Sequence, residues 1–306
     1  MMKLTIVIPV YNGAMTISGL VDELIKDLEM YHLEIILVND GSIDDSHRVC
    51  ASIFNRHKNI VKYIGLAKNF GEHNAVMAGL SRAMGDYTVV IDDDFQNPPS
   101  EIRKLIDEAV SGGFDVVYSF YEKKHHSPFR NLGSAFNNLV ASLLLDKPRE
   151  LYLSSFKCMN RFIVQELIKY KGPFPYIDGL ILRSTRKIGK VMVKHADRKE
   201  GKSGYTLKKL VKLWLNMFVN FSVLPLRIST FLGFLFLILG MVSSIYIIFE
   251  RILNPDLPVG FASILVAILV FGGTQLLMLG MIGEYLGKLF LSNNQTPQYV
   301  IREEHG

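Results

Sequence analysis

Up to Phe120, short β-branched runs alternate with segments whose apolar residues recur at helical spacing, and few folds accept that order. Leu4 to Val10 is followed by Ile17, Leu20, Val21, Leu24, Ile25 and Leu28 on one helical face. Glu34 to Val38 precedes a helix opened by Asp44 and Asp45, and Ile60 to Leu66 precedes a helix reaching Met84. A run starting at Tyr87 leads to a helix over Glu101 to Val110, and Asp115 to Phe120 is a further strand. This order predicts an α/β fold, a Rossmann-like, mostly parallel sheet with helices on both faces. Ligands on such sheets gather at the carboxyl ends of the strands. Asn12, Asp40, Lys68 and Asp92 all fall at such ends. Each alone has a structural explanation, since Asp40-Gly41-Ser42 is good turn chemistry and Asn69 could cap a helix. Together they favour a nucleotide-diphosphate site, with Asp40 accepting from a base or ribose and Lys68 facing the nucleotide.

The sharpest local feature is VVIDDDFQNPP, Val89 to Pro99, an apolar run that ends in three carboxylates. Along an extended backbone Asp92 and Asp94 point the same way, Gln96 continues the alternation and Asp93 turns aside. Like charges crowded there repel, and a divalent cation reverses the sign of the local field. Oxygen ligands favour Mg2+ or Mn2+, shared with substrate phosphates. A solvated acidic loop capping the helix near Ser100 is the alternative.

Composition matters in the last third of the chain. The chain is 49% hydrophobic, and the excess lies after residue 210. Leu207, Leu210, Val211, Trp214, Leu215, Phe218 and Val219 share one helical face, with Lys208, Lys209 and Lys212 on another, as in an interfacial amphipathic helix. Ile228 to Phe249 and Leu257 to Gly283 then run without a charge, each longer than the roughly 20 residues that span a bilayer. The connection holds one basic residue, Arg251, whereas Lys208, Lys209, Lys212, Arg227 and Lys288 flank the outer ends, so the positive-inside rule puts both ends in the cytoplasm. Gly273, Gly280 and Gly287, with Gly283 beside them, offer a close-packing face for the hairpin or for a homo-oligomer through the transmembrane helices. The net charge of +5 suits anionic lipid or phosphate-bearing substrates; nucleic acid is not an expected partner. Cys50 and Cys158 have no disulfide or metal spacing, which fits a reducing compartment. The first residues read as a strand and not as a signal peptide. The expected domains are 1–205, a cytoplasmic catalytic domain; 206–227, an amphipathic helix; 228–291, a transmembrane hairpin; and 292–306, a cytoplasmic tail. The protein would sit in the plasma (inner) membrane as a multi-pass protein.

The ordered series IPVYN, VNDGS, LAKNFG, DDDFQNPP and RKEGKSGY resembles glycosyltransferase family 2, fold type GT-A, and within it the polyprenyl-phosphate glycosyltransferases. The resemblance covers nearly all of the chain. It implies that Asp92, Asp94 and the amide oxygen of Gln96 bind metal. Pro9, Tyr11, Asn12, Asp40, Lys68, Asp92 and Asp93 would hold the donor. Arg130, Arg198, Lys202 and Ser203 would take the acceptor phosphate, with Asp94, Arg130 and Arg198 catalytic. The implied reaction is inverting transfer from a nucleotide-diphosphate sugar, a UDP-sugar by likeness, to polyprenyl (undecaprenyl) phosphate, for cell-envelope glycans such as O-antigen. The sequence departs from the family's pattern at Gly13, where Glu is usual, at Asn39, where many members have Asp, and at Ser155, where a carboxylate is usual. A hydroxyl acceptor needs a general base, but a phosphate monoester is already ionised at neutral pH. The missing carboxylate therefore favours a phosphate acceptor. A processive polysaccharide synthase is the runner-up, without its QxxRW motif here, since Trp214 follows Leu213. An inactive nucleotide-binding membrane adaptor is the third alternative. Lys123-Lys124-His125-His126 reads as a solvated basic loop.

Overall fold

A computed structural model describes residues 1–121, 151–194, 224–253, 260–294 and 296–306. It divides into a unit made of 1–204 with 295–306, and a second unit made of 205–294.

The first unit is built on strands β1 (Lys3–Val10), β2 (His32–Asn39), β3 (Val61–Leu66), β4 (Tyr87–Val90), β5 (Val116–Tyr121), β6 (Lys157–Asn160), β7 (Ile188–Val193) and β8 (Ile301–His305). The helices between them are α1 (Ile17–Asp27), α2 (Ser46–Arg56), α3 (Glu72–Leu80), α4 (Ile102–Ser111), α5 (Arg161–Leu167) and α6 (Ile177–Ser184). The sheet order is β7-β5-β6-β4-β1-β2-β3-β8. β1, β2, β3 and β4 run parallel, as expected from the strand-helix alternation. β6 is inserted antiparallel between β4 and β5, and β8 closes the far edge antiparallel to β3.

Central parallel strands are covered on both faces, so they read as continuous apolar runs. Leu4, Ile6, Ile8 and Val10 of β1 join Leu20, Val21 and Leu24 of α1, Cys50 and Ile53 of α2, and Ile102, Leu105 and Ile106 of α4 in one core. On the other face α3 lies so close that a side chain at Gly79 would sit 2.4 Å from the Val7 side chain. That helix has apolar residues all round, because its buried stretch runs unbroken from Ala75 to Leu80.

At the amino ends of the strands the polar groups satisfy one another. Thr5 Oγ1 donates to Glu34 Oε2 at 2.5 Å and accepts from Gly85 N–H at 2.9 Å. Glu34 also accepts from Met84 N–H at 3.0 Å and pairs with Lys62 at 3.0 Å.

The stretch expected to be a cytoplasmic tail supplies β8. Arg82 holds Glu304 through two hydrogen bonds, 2.6 and 3.0 Å, and Tyr63 O–H donates to Glu303 at 3.3 Å. Charged side chains on an edge strand are a common guard against unwanted pairing, and they also hide the strand from a search for β-branched runs.

The second unit holds α7 (Leu224–Leu253) and α8 (Phe261–Asn293), 30 and 33 residues long. The rings of Phe236 and Phe271 meet edge to face at 5.8 Å. Large apolar side chains, among them Phe231, Ile238, Val242, Ile245, Ile268, Leu276 and Leu289, are exposed. Added side chains at Gly273, Gly280, Gly283 or Gly287 would meet no described atom within 4 Å. Taken over the described residues, no helix is long and apolar enough to cross a membrane. The amphipathic stretch expected at 206–223 lies outside the described residues.

Candidate active site

The loops after β1, β2 and β3 are tied into one rim. Asn12, in the left-handed region at φ 56°, is held by the neighbouring β2 turn; its N–H donates to Ser42 Oγ at 3.0 Å and its Oδ1 accepts from Ile43 N–H at 3.0 Å. Asparagine is among the few side chains that tolerate this conformation. Gly41, at φ +61°, lets the β2 turn press on the next loop: a Cβ there would sit 2.3 Å from the Lys68 carbonyl carbon.

Asp40 is buried, and its two carboxylate oxygens accept from Phe70 N–H at 2.7 Å and Gly71 N–H at 2.9 Å. Its carboxylate therefore holds the loop carrying Lys68, a structural duty that the donor contact expected from the sequence did not include. Burial pushes the Asp40 carboxyl above its usual range despite these two bonds. Lys68 is exposed, with its ammonium 5.2 Å from the centre of the Phe70 ring. Pro9 is paired in register with Val38, and Tyr11 is about half exposed at 48%.

The acidic stretch does not continue as a strand. β4 ends at Val90, Phe95 has φ 61°, and Asp94 Oδ1 accepts from Gln96 N–H at 3.1 Å. The alternation expected through Gln96 is broken because this short turn satisfies its own backbone. Asp92, Asp93 and Asp94 are each partly exposed. Antiparallel pairing of Val90 with Lys157 brings the start of β6 alongside, and Ser155 Oγ donates to Asp92 Oδ2 at 2.6 Å. The residue standing where a carboxylate was expected thus fixes one of the acids.

Behind Ser155 lies a charged cluster that sequence reasoning missed. Lys157 and Asp178, both buried, form an ion pair, and Tyr118 O–H donates to Asp178 Oδ1 at 2.9 Å. His73 meets the Tyr176 ring edge to face at 5.3 Å. Glu72, at the start of α3, keeps solvent contact while standing in dense surroundings. Desolvation, then the negative Asp92, pushes it up to about 7, with Lys157 opposing. Desolvation likewise holds His73 down to about 4. Lone polar letters such as the Asp of YIDG carry no spacing from which such a cluster could be read.

Among the described residues no three His, Cys, Asp or Glu side chains form a group able to hold a metal unaided. Mg2+ sites commonly use one or two carboxylates and complete the shell with substrate phosphate and water. The oxygen donors of Asp92 and Asp94 fit Mg2+ or Mn2+ on those terms. Arg130, Arg198, Lys202 and Ser203 lie outside the described residues.

The mixed α/β sheet thus carries its acids and polar turns at the carboxyl ends of β1 to β4, where ligands of such sheets gather. The pattern of glycosyl transferase family 2 matches residues 5–168. Undecaprenyl-phosphate 4-deoxy-4-formamido-L-arabinose transferases of Yersinia pestis (strain Pestoides F) and Yersinia pseudotuberculosis serotype O:3 (strain YPIII) are each 30% identical to the chain over 308 residues, 99% of this chain and 94% of theirs. Glucosyl-3-phosphoglycerate synthase from Mycobacterium tuberculosis, solved with Mn2+, uridine-diphosphate-glucose and phosphoglyceric acid, shares the fold at TM-score 0.51 and 21% identity, over 69% of this chain and 75% of that one. The chain belongs to glycosyltransferase family 2, and it is a glycosyltransferase.

Proposed function

We propose that the protein transfers a sugar from a nucleotide-diphosphate sugar to polyprenyl phosphate at the cytoplasmic face of a membrane, with inversion and with a divalent cation. The observation that carries this reading is the meeting of Asp92, Asp94 and Ser155 with the Asn12, Asp40 and Lys68 loops on one sheet edge, in a chain that also holds two long helices with exposed apolar side chains. The Yersinia relatives, similar along their length, are named for an undecaprenyl-phosphate acceptor.

In this reading Asp92, Asp94 and the Gln96 amide oxygen hold Mg2+ or Mn2+, which bound there would offset the charge that grows on the leaving diphosphate. Ser155 holds Asp92 in place, while Asp40 and Asn12 set the loops that take the nucleoside. An acceptor phosphate oxygen attacks the anomeric carbon as the bond to the diphosphate breaks on the opposite side, so an α-linked donor gives a β-linked product. The acceptor is already an anion, so no base is required where Ser155 stands. Arg130, Arg198, Lys202 and Ser203 are assigned to its phosphate by the family likeness. The helices α7 and α8 are read as a membrane hairpin. Because β8 follows them and pairs with β3, the chain leaves and re-enters one folded unit, which is consistent with an even number of crossings.

The test is incubation of membranes containing the full chain with a panel of nucleotide sugars and polyprenyl phosphate. Lipid-linked sugar of inverted configuration is expected. Transfer to a soluble saccharide instead, chain elongation as by a polysaccharide synthase, or no turnover with any donor would overturn the reading. A cysteine replacing Asn254 should be labelled only from outside the cell.

A further inference from the structure

The middle acid of the triplet, Asp93, does something its neighbours do not. A Cβ built on Gly13 would lie 2.1 Å from Asp93 Oδ2 and 2.9 Å from its Cγ, closer than any real contact of that kind. Gly13 is buried, and its N–H donates to Ser46 Oγ at 2.9 Å, so the turn cannot retreat without breaking that bond. The Asp93 carboxylate thus occupies the volume that any side chain at position 13 would need.

Two residues on, the same loop makes a second close approach. A Cβ on Gly19 of α1 would lie 3.3 Å from the tip of the buried Phe95 ring. The acidic loop is therefore seated on the β1–α1 segment at two points, Asp93 over Gly13 and Phe95 over Gly19. Desolvation, then the negative Asp93 and Asp44, pushes the buried Cys50 thiol up to about 12, in keeping with an Asp93 carboxylate aimed inward.

We propose that Asp93 is a positioning residue: its carboxylate, housed in the space left by Gly13, anchors the acidic loop so that Asp92 and Asp94 are presented together for metal and donor diphosphate. Its role is then loop placement, in contrast to the donor contact expected from the sequence. The inference rests on the metal-dependent reading above. It implies that the carboxylate can be delivered from either wall of this space but not from both. Residue 13 is glycine because residue 93 is the acid.

The experiment follows thermal unfolding of the full-length protein in detergent at rising Mn2+ with UDP present, and reads the Mn2+ concentration that gives half of the protection. Asp93→Ala and Gly13→Asp are each expected to raise it by about tenfold or more, the scale seen when a residue supporting a metal ligand is lost. The exchange Gly13→Asp with Asp93→Ala should bring it back to within about threefold of wild type, the mark of strong coupling between two sites in contact. Gly13→Ala with Asp93→Ala relieves the clash without restoring the acid; it should recover the unfolding temperature measured without metal but not the Mn2+ response. If the carboxylate exchange restores no more Mn2+ response than this alanine pair, or if either single change leaves that response unaltered, Asp93 does not position the loop. Wild-type protein that gains no protection at any Mn2+ concentration would remove the metal-dependent reading, and the inference with it. That outcome is distinguishable, because the metal-free unfolding temperatures would still report the clash at Gly13 and its relief.

Discussion

The two ends of the parallel strands treat buried carboxyl groups in opposite ways. At the amino end, burial pushes Glu34 up, but Thr5, Met84 N–H and Lys62 together outweigh it and hold the carboxyl below its usual range. At the carboxyl end desolvation prevails: the buried Asp40 is raised, and Glu72, which keeps solvent contact beside Asp92 and Asp93, reaches about 7. One end has spent its charges on internal pairs. The other gathers like charges that a cation and a ligand could relieve, which is how sites are told apart from scaffolding.

The largest expected effect breaks the carboxyl end alone. Asp94→Asn should lower turnover by about 100-fold, the scale of losing one strong electrostatic stabiliser, while leaving the unfolding temperature near that of wild type. Activity above a tenth of wild type at saturating Mg2+ or Mn2+ would show that the acid is not part of the chemistry.

Next comes the amino end. Glu34→Gln should cost about 1–3 kcal/mol in denaturant unfolding, because Lys62 and Thr5 lose a charged partner in a partly closed place. Steady-state kinetics of the surviving folded enzyme should be unchanged. A turnover defect without loss of stability would mean that the two ends are coupled.

The smallest effect concerns pH. Glu72 has an ordinary value of 4.5 and stands at about 7, so between these the folded chain keeps a proton that the unfolded chain releases, and stability falls as pH rises. His73, ordinarily 6.5 and here about 4, works the other way: the unfolded chain takes a proton that the folded chain refuses, and stability rises with pH across that window. The two slopes oppose each other where the windows overlap. Glu72→Gln should leave the rising slope and His73→Asn the falling one, measured by denaturant unfolding at stepped pH without divalent metal. Asp92, Asp93, Asp178 and Lys157 face these groups and must be kept intact. Two variants with wild-type slopes would remove Glu72 from the comparison.

The strands and helices from Lys3 to Tyr121 were legible because each is local: β-branched runs, helical spacing and polar turns fall within a few residues of one another. The acidic run Asp92 to Asp94 after β4 was legible for the same reason. β6 was not, since the four residues KCMN have no period of their own and become a strand only by pairing with Val90 and Tyr118. The Asp93 contact with Gly13 was hidden too, although both residues stand out in the sequence, because a clash between distant positions leaves no mark on spacing. Arg130, Arg198 and Lys202 remain assignments from family likeness.

The antiparallel pairing of β8 with β3 also sets an order of events during synthesis. Tyr63 and Glu303, which hydrogen-bond across that pair, are separated by 240 positions, and both long helices are made between them. Domains fold as they emerge, amino-terminal parts first. The β3 edge therefore stays open while α7 and α8 are being delivered to wherever they reside, and an open strand edge invites foreign partners. Completion of the sheet becomes a late signal that the helices have been made and that the chain has come back to where it began.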